Sequence, residues 1–94
     1  MPLIIDCDGI VNVEEFWDRY ESSVGAESTR FFGRNLNALW DALEGGGPGC
    51  PDAAHVIFKN AAKLRDLKTH SGDNFLAILR EIATNVSSIR VELL

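Results

Sequence analysis

Short apolar runs and longer amphipathic stretches alternate along this 94-residue chain. Three short runs predict buried strands, at Leu3–Cys7, at Val56–Phe58 and at Ile89–Leu93. Apolar and polar residues alternate only in the last of these. Runs of this length that are rich in Ile, Val and Leu are typical of strands packed inside a protein. The pattern therefore predicts three strands, well separated along the sequence.

Four amphipathic stretches between these strands predict helices. Their predicted extents are about Val13–Ser23, Asn35 to about Glu44, Asn60–Leu67, and a fourth stretch that ends near Thr84. Asn12 can cap the first helix and Ser71 or Asp73 the fourth, because their side-chain oxygens can accept a hydrogen bond from a free backbone N–H. Gly45 is suited to end the second helix, since glycine is common directly after helices.

The order of these elements predicts the fold class. Strands separated by helical crossovers favour a parallel sheet with right-handed connections. We predict an α/β fold, a small three-stranded parallel sheet packed with about four helices. Phe16, Trp17 and Tyr20 share the face of the first helix that is predicted to turn toward the core. The length suits one domain, residues 1–94.

The predicted second helix has two faces of different chemistry. Its apolar stripe contains residues spaced three and four apart, namely Leu36, Leu39, Trp40 and Leu43. Its other stripe is polar and acidic and contains Asn37, Asp41 and Glu44. Most helices with this periodicity are ordinary amphipathic surface helices, and the spacing alone favours that interpretation. The order of the residues in and before the helix indicates something more specific.

The segment Phe31–Asp41 reads aromatic-aromatic-Gly-x-Asn-Leu-x-Ala-Leu-Trp-Asp. An apolar first strand, a strand after Pro51, the segment Phe75–Glu81 and an apolar closing strand surround it. In this order the sequence resembles the barstar family of intracellular ribonuclease inhibitors. The resemblance implies a barstar-like fold and inhibition of a ribonuclease by blocking its active site.

The resemblance also implies a partner-binding surface on the second helix and beside it. Asp41 occupies the family's central acidic position, and Glu81 matches an acidic residue on the last helix. Phe31 and Phe32 occupy a pair of aromatic positions. The implied set is completed by Gly33, Asn35, Asn37, Ala38, Trp40, Glu44 and Gly45.

Three departures from the family pattern bear on the partner. Asn37 stands where the family has an acid, and Arg34 is basic where an acid can stand. The loop Gly45–Gly47 replaces one that can hold an aromatic contact. These changes predict a secreted microbial ribonuclease other than barnase itself, either guanyl-specific or barnase-related. Glu44 is predicted to replace part of the charge missing at Asn37.

Charge and composition narrow the classes of partner. The net charge is −5 with nine basic residues, which argues against direct nucleic-acid binding because phosphates are bound by clustered Lys and Arg. The same charge suits a basic protein partner. No apolar run approaches the roughly 20 residues that span a bilayer, and Met1–Asp6 lacks the basic region of a signal peptide. We therefore expect a cytoplasmic protein that binds neither a membrane nor a cofactor.

Two other interpretations stay open. Asp6-Cys7-Asp8-Gly9 after an apolar strand is similar to the first motif of haloacid dehalogenase-type phosphatases, in which carboxylates attack phosphorus and hold Mg²⁺. The chain is short for that family, no later acidic pair completes a metal site, and Asp-Gly is an ordinary turn, so we expect no enzyme. The second is a protein-interaction or immunity module on the same fold that binds a non-ribonuclease partner.

Overall fold

The computed structural model describes residues 1–94 and contains three strands, three α-helices and one 3₁₀ turn. In chain order these are β1 (Leu3–Asp6), α1 (Val13–Val24), α2 (Leu36–Gly45), β2 (His55–Lys59), the 3₁₀ turn (Ala61–Leu64), α3 (Phe75–Asn85) and β3 (Arg90–Leu93). The three predicted strands are confirmed, and each of their ends agrees with the prediction to within one residue. The predicted α/β class is confirmed as well.

The strands form one parallel sheet in the order β1-β2-β3. β2 is central, and its Val56 lies beside Leu3 of β1 and beside Val91 of β3. The predicted parallel pairing through helical crossovers is therefore confirmed. Val56 and Phe58 are fully buried, on the face against which the helices pack, whereas Ile4 on the opposite face is exposed. One sheet face and the helices thus enclose the core.

Asparagine side chains begin all three α-helices. The side-chain oxygens of Asn12, Asn35 and Asn74 each accept a hydrogen bond from the backbone N–H three residues later, at 2.9, 2.8 and 2.9 Å respectively. Each bond satisfies a donor that the helix itself leaves free. The cap predicted at Asn12 is confirmed, and Asn35 is a cap rather than the first helical residue.

Two helix ends differ from the prediction. Ser71 and Asp73 do not cap α3, because both lie in the turn that precedes it and Asn74 takes that role. α2 includes Gly45 as its last residue, and Gly46 is the residue with the left-handed backbone, at φ 72°. Gly46 rather than Gly45 ends the helix, because its left-handed conformation lets its N–H donate to the Asp41 carbonyl.

The predicted helix at Asn60–Leu67 is wrong, since only Ala61–Leu64 coils, as a single 3₁₀ turn. Asn60 itself has a left-handed backbone, at φ 58°, and its side chain caps nothing in the turn. Beyond the turn, the Leu67 carbonyl accepts a hydrogen bond from the backbone N–H of Phe75 rather than from a residue of a continuing helix. The fold therefore has three α-helices rather than about four.

Aromatic rings carried by α1 form the centre of the core. Phe16, Trp17 and Tyr20 are all buried, as predicted. The Trp17 ring centroid lies 4.9 Å from that of Phe16 and 5.8 Å from that of Phe75, both in edge-to-face geometry. Such pairs add to the free energy gained from burying the rings. The cluster ties α1 to the start of α3.

The loop after α2 is anchored to this core at Gly49. The Tyr20 hydroxyl donates a hydrogen bond to the Gly49 carbonyl at 2.8 Å, and burial raises the pKa of Tyr20 above its ordinary range. Gly49 has φ +92°, and a Cβ there would overlap the Phe32 ring. Glycine therefore lets the loop pack directly against the segment that leads into α2.

Candidate functional site

α2 turns one face to the core and the other to solvent. Its buried residues are Leu36, Leu39, Ala42 and Leu43. Asn37 and Asp41 are exposed on the opposite face. Trp40, predicted in the apolar stripe, is only half-buried and packs at the margin of the core. The buried stripe is centred on Leu39, so at 3.6 residues per turn Ala42 falls inside it and Trp40 at its edge.

The two adjacent phenylalanines point to different environments. Phe31 is 78% exposed, and the Arg30 guanidinium lies 5.4 Å from its ring centroid. Phe32 is only 7% exposed, and its ring centroid lies 5.5 Å from that of Trp17 in the core. The sequence predicts both rings at the partner-binding surface, whereas in the structure only the Phe31 ring is exposed to solvent. The Phe32 ring packs against Trp17 and Tyr20 instead, which removes it from the surface.

Asp41 lies exposed in the second half of α2, beside the glycine loop. A Cβ at Gly45 would lie 3.2 Å from its Oδ1, and a Cβ at Gly47 would overlap its Oδ2. The carboxylate therefore lies along bare backbone, in space that the absence of two side chains leaves open. It takes part in no salt bridge of the chain.

Glu44, one turn further on, is used within the chain rather than presented to solvent. Its carboxylate accepts hydrogen bonds from Ser87 N at 2.9 Å, Ser87 Oγ at 3.0 Å and Ser88 N at 3.0 Å. In return, the Ser88 hydroxyl donates to the Glu44 carbonyl at 2.7 Å. The Glu44 carboxylate thus ties α2 to the loop after α3. That it replaces part of the charge missing at Asn37 stays a prediction.

The other residues of the predicted set lie around α2 in supporting positions. Gly33 lies so near Ala38 that a Cβ would be 3.1 Å from the Ala38 Cβ. The Asn35 side chain donates to the Gly33 carbonyl at 3.3 Å in addition to capping α2. Glu81 is exposed on α3, the helix against which α2 packs. These contacts give the entrance to α2 a compact, fixed shape.

A groove of about 540 Å³ borders the first turn of α2. Its walls include Asn37 from α2, Glu14 from α1, and Lys68 and His70 from the loop before α3. The groove adjoins the solvent-facing side of α2, because Asn37 belongs to both. A partner that covers α2 therefore meets a recess beside the helix as well as its convex face.

Comparison with known protein families shows which family the chain belongs to. The model of the family described as Barstar (barnase inhibitor) matches residues 1–94, the whole sequence. The chain belongs to the barstar family. By that description the family consists of inhibitors rather than enzymes, and the match includes α2 and the segment before it. No match was found among curated proteins.

Arg34 is the residue of this barstar-family surface whose role the sequence did not indicate. Its side chain crosses to α1, where it contacts the carboxylates of Glu14, Asp18 and Glu21. These hydrogen bonds, the one to Asp18 foremost, raise the pKa of Arg34 above its ordinary value. The signal in the sequence is the spacing of the three acids, which places them along one face of a helix.

We expect the Glu44→Gln variant to unfold at a lower temperature than the parent at about pH 7, with a difference that shrinks in acid. Hydrogen bonds from Ser87 and Ser88 lower the pKa of Glu44 from 4.5 to about 2. The stabilisation is therefore complete above pH 4.5 and is lost as the pH falls toward about 2. Thermal unfolding followed by circular dichroism across this range measures the difference.

Glu27→Gln is the matched control for this experiment, because it removes an exposed carboxylate that takes part in no salt bridge. We expect it to change the unfolding temperature little at any pH. A Glu44→Gln effect that stays constant from neutral to acidic pH would contradict the assigned role of the carboxylate.

The Asp6-Cys7-Asp8-Gly9 motif builds a turn in this structure. The Asp6 carboxylate accepts hydrogen bonds from Asn60 Nδ2 at 2.8 Å and from Asp8 N at 2.9 Å, and these bonds lower its pKa. No group of three or more His, Cys, Asp or Glu side chains is arranged to hold a metal ion. The motif thus links the end of β1 to the residue after β2.

None of the three α-helices is both long enough and apolar enough to cross a lipid bilayer. The longest, α1, has 12 residues, fewer than the roughly 20 that a membrane span needs.

Proposed function

We propose that this protein inhibits a secreted microbial ribonuclease, guanyl-specific or barnase-related, by covering its active site with α2 and Phe31. The exposed carboxylate of Asp41 carries the proposal. A ribonuclease site must be cationic to hold a phosphodiester, and a carboxylate can accept the hydrogen bonds that otherwise bind the phosphate. Asp41 is available for this because no cation of its own chain neutralises it.

Phe31 is the proposed aromatic anchor beside this charge. Aromatic side chains are common among the few residues that carry most of the energy of an interface. The Arg30 guanidinium restrains the ring from one side without burying it. Phe32 packs against Trp17 and Tyr20 in the core, so we propose no direct partner contact for Phe32.

Direct contacts are proposed for a small set of exposed residues on α2 and α3 and before α2, namely Phe31, Asn37, Asp41 and Glu81. Gly33, Asn35, Ala38, Trp40 and Gly45 are proposed to lie at or under this surface. The net charge of −5 would favour the approach of a cationic enzyme. A cytoplasmic location stays a prediction.

A titration tests the proposal. The purified protein is added to a panel of secreted ribonucleases that includes guanyl-specific and barnase-related enzymes, and cleavage of an RNA substrate is followed. We expect stoichiometric loss of activity for at least one enzyme, with Asp41→Ala far less effective at the same concentration. Full activity of every enzyme at micromolar protein would contradict the proposal.

The alternative is an interaction or immunity module that binds a non-ribonuclease partner. The neutral Asn37 favours this alternative, because with Asn at that position the surface has fewer acidic side chains for a nuclease site than the family pattern implies. Binding to a non-ribonuclease toxin, combined with no inhibition of any enzyme in the panel, would support this alternative.

A further inference from the structure

Arg34 joins the entrance of α2 to α1 through several contacts at once. Its Nη2 lies 3.0 Å from Glu14 Oε2 and 2.9 Å from Asp18 Oδ1, and its Nη1 contacts Glu21. Nη2 also donates to the Glu14 carbonyl at 3.2 Å. The Arg34 and Glu21 side chains are 29% and 28% exposed, whereas those of Glu14 and Asp18 are 71% and 69% exposed. Solvent therefore screens the contacts with Glu14 and Asp18 more strongly than the contact with Glu21.

The backbone of Arg34 adopts an unusual conformation to reach this position. Its φ is 53°, in the left-handed region that residues with a side chain rarely occupy. Such a conformation persists where the surrounding contacts determine it. In this conformation Arg34 contacts three carboxylates of α1, which would repel one another without a cation between them. The left-handed residue directly before the Asn35 cap is therefore also the residue that pairs with α1.

The opposite end of α2 is tied in a similar way. Glu44 holds the backbone N–H groups of Ser87 and Ser88 in the loop between α3 and β3. One cation thus fixes the start of the helix and one anion fixes its end. Between them, the exposed face with Asn37 and Asp41 is presented in a single orientation.

We propose that Arg34 is a positioning residue for partner binding, which holds the segment from Phe31 to Asn35 and the first turn of α2 in the binding-competent arrangement. This inference rests on the proposed inhibitory function. A preorganised surface binds without the cost of ordering itself first. If Arg34 is removed, only part of the population has the competent arrangement, and the apparent affinity falls by that fraction.

Equilibrium affinities for an inhibited ribonuclease test the proposal, with Arg34→Ala compared with Arg65→Ala. The Arg65 side chain is exposed, donates a hydrogen bond only to the carbonyl of Ala62, and carries the same charge, so Arg65→Ala controls for the change in net charge. We expect Arg34→Ala to bind about tenfold more weakly, as when roughly one-tenth of the population stays competent. We expect Arg65→Ala to bind like the parent.

A triple variant of α1 distinguishes a positioning role of Arg34 from a direct contact between Arg34 and the partner. Glu14→Gln, Asp18→Asn and Glu21→Gln together remove the carboxylates that Arg34 holds. In that triple variant, Arg34→Ala should cause no further loss of affinity if Arg34 acts through α1. The same tenfold loss in both backgrounds would overturn the proposal and indicate that Arg34 contacts the partner itself. An unchanged affinity of Arg34→Ala in the parent background would also overturn it.

Hydrogen exchange of the free protein tests, without any partner, whether the contacts of Arg34 with α1 hold the start of α2 in place. The amides of Ala38 and Leu39, which donate hydrogen bonds to Asn35 at the start of α2, should exchange faster in Arg34→Ala than in the parent or in Arg65→Ala. Equal exchange rates in all three proteins would overturn the positioning role of Arg34, even if the parent inhibits a ribonuclease. Faster exchange together with a parent that inhibits no ribonuclease would instead refute the proposed function, so the two failures are distinguishable.

Discussion

The Asp41→Ala variant should bind its ribonuclease far more weakly than the parent, with a loss of about 2–5 kcal/mol or more. That loss corresponds to roughly thirtyfold to several-thousandfold in the dissociation constant. A carboxylate inserted into a cationic site loses its water and is matched by several donors of the partner. Its removal leaves those cations buried without an acceptor. The barnase–barstar pair is itself one of the systems that define this range.

Isothermal titration or inhibition kinetics with the cognate enzyme measures this effect. Asp66→Ala is a suitable control, because it removes an exposed carboxylate outside the proposed surface. Urea unfolding of Asp41→Ala should give nearly the parent's midpoint, since an exposed residue without a salt bridge contributes little to stability. If Asp41→Ala binds within a few-fold of the parent, the protein does not inhibit through the acidic face of α2.

The Trp17→Ala variant should lose about 3–5 kcal/mol of unfolding free energy, the usual cost of truncating a buried aromatic side chain. Trp17 is 1% exposed and packs edge-to-face against Phe16, Phe32 and Phe75. Domains of this size are stable by only about 5–15 kcal/mol. The variant should therefore lose a large share of the parent's stability, and Trp17→Phe provides a milder change at the same position.

Trp40→Ala is the matched control for this prediction. The sequence placed Trp40 on the same apolar stripe as Leu39, which implied severe destabilisation on truncation. The structure leaves Trp40 half-buried at the margin of the core, so the expected loss is smaller than for Trp17→Ala. Urea unfolding followed by circular dichroism compares the two. Equal losses would contradict the different burial of the two tryptophans.

Several features that depend on neighbours in the sequence were predictable from the sequence, although the helix predicted at Asn60–Leu67 was not among them. The three strands follow from short apolar runs, and their parallel order follows from the helices between them. The inward face of α1 follows from the spacing of Phe16, Trp17 and Tyr20. The cap at Asn12 needs only a side chain three residues from a free N–H. The segment Phe31–Asp41 likewise indicated the family that the whole-chain match shows.

Features that depend on residues distant in the sequence were decided by the tertiary structure. Glu44 meets Ser87 43 residues later, so nothing near Glu44 predicts that its charge is used internally. Arg34 meets Glu14 20 residues earlier, and only the folded crossing of two segments brings them together. The different burial of Phe31 and Phe32 depends on how the chain turns against the Trp17 ring. Local pattern fixes which face of an element is apolar, but which polar groups remain available to a partner depends on which distant groups reach them first.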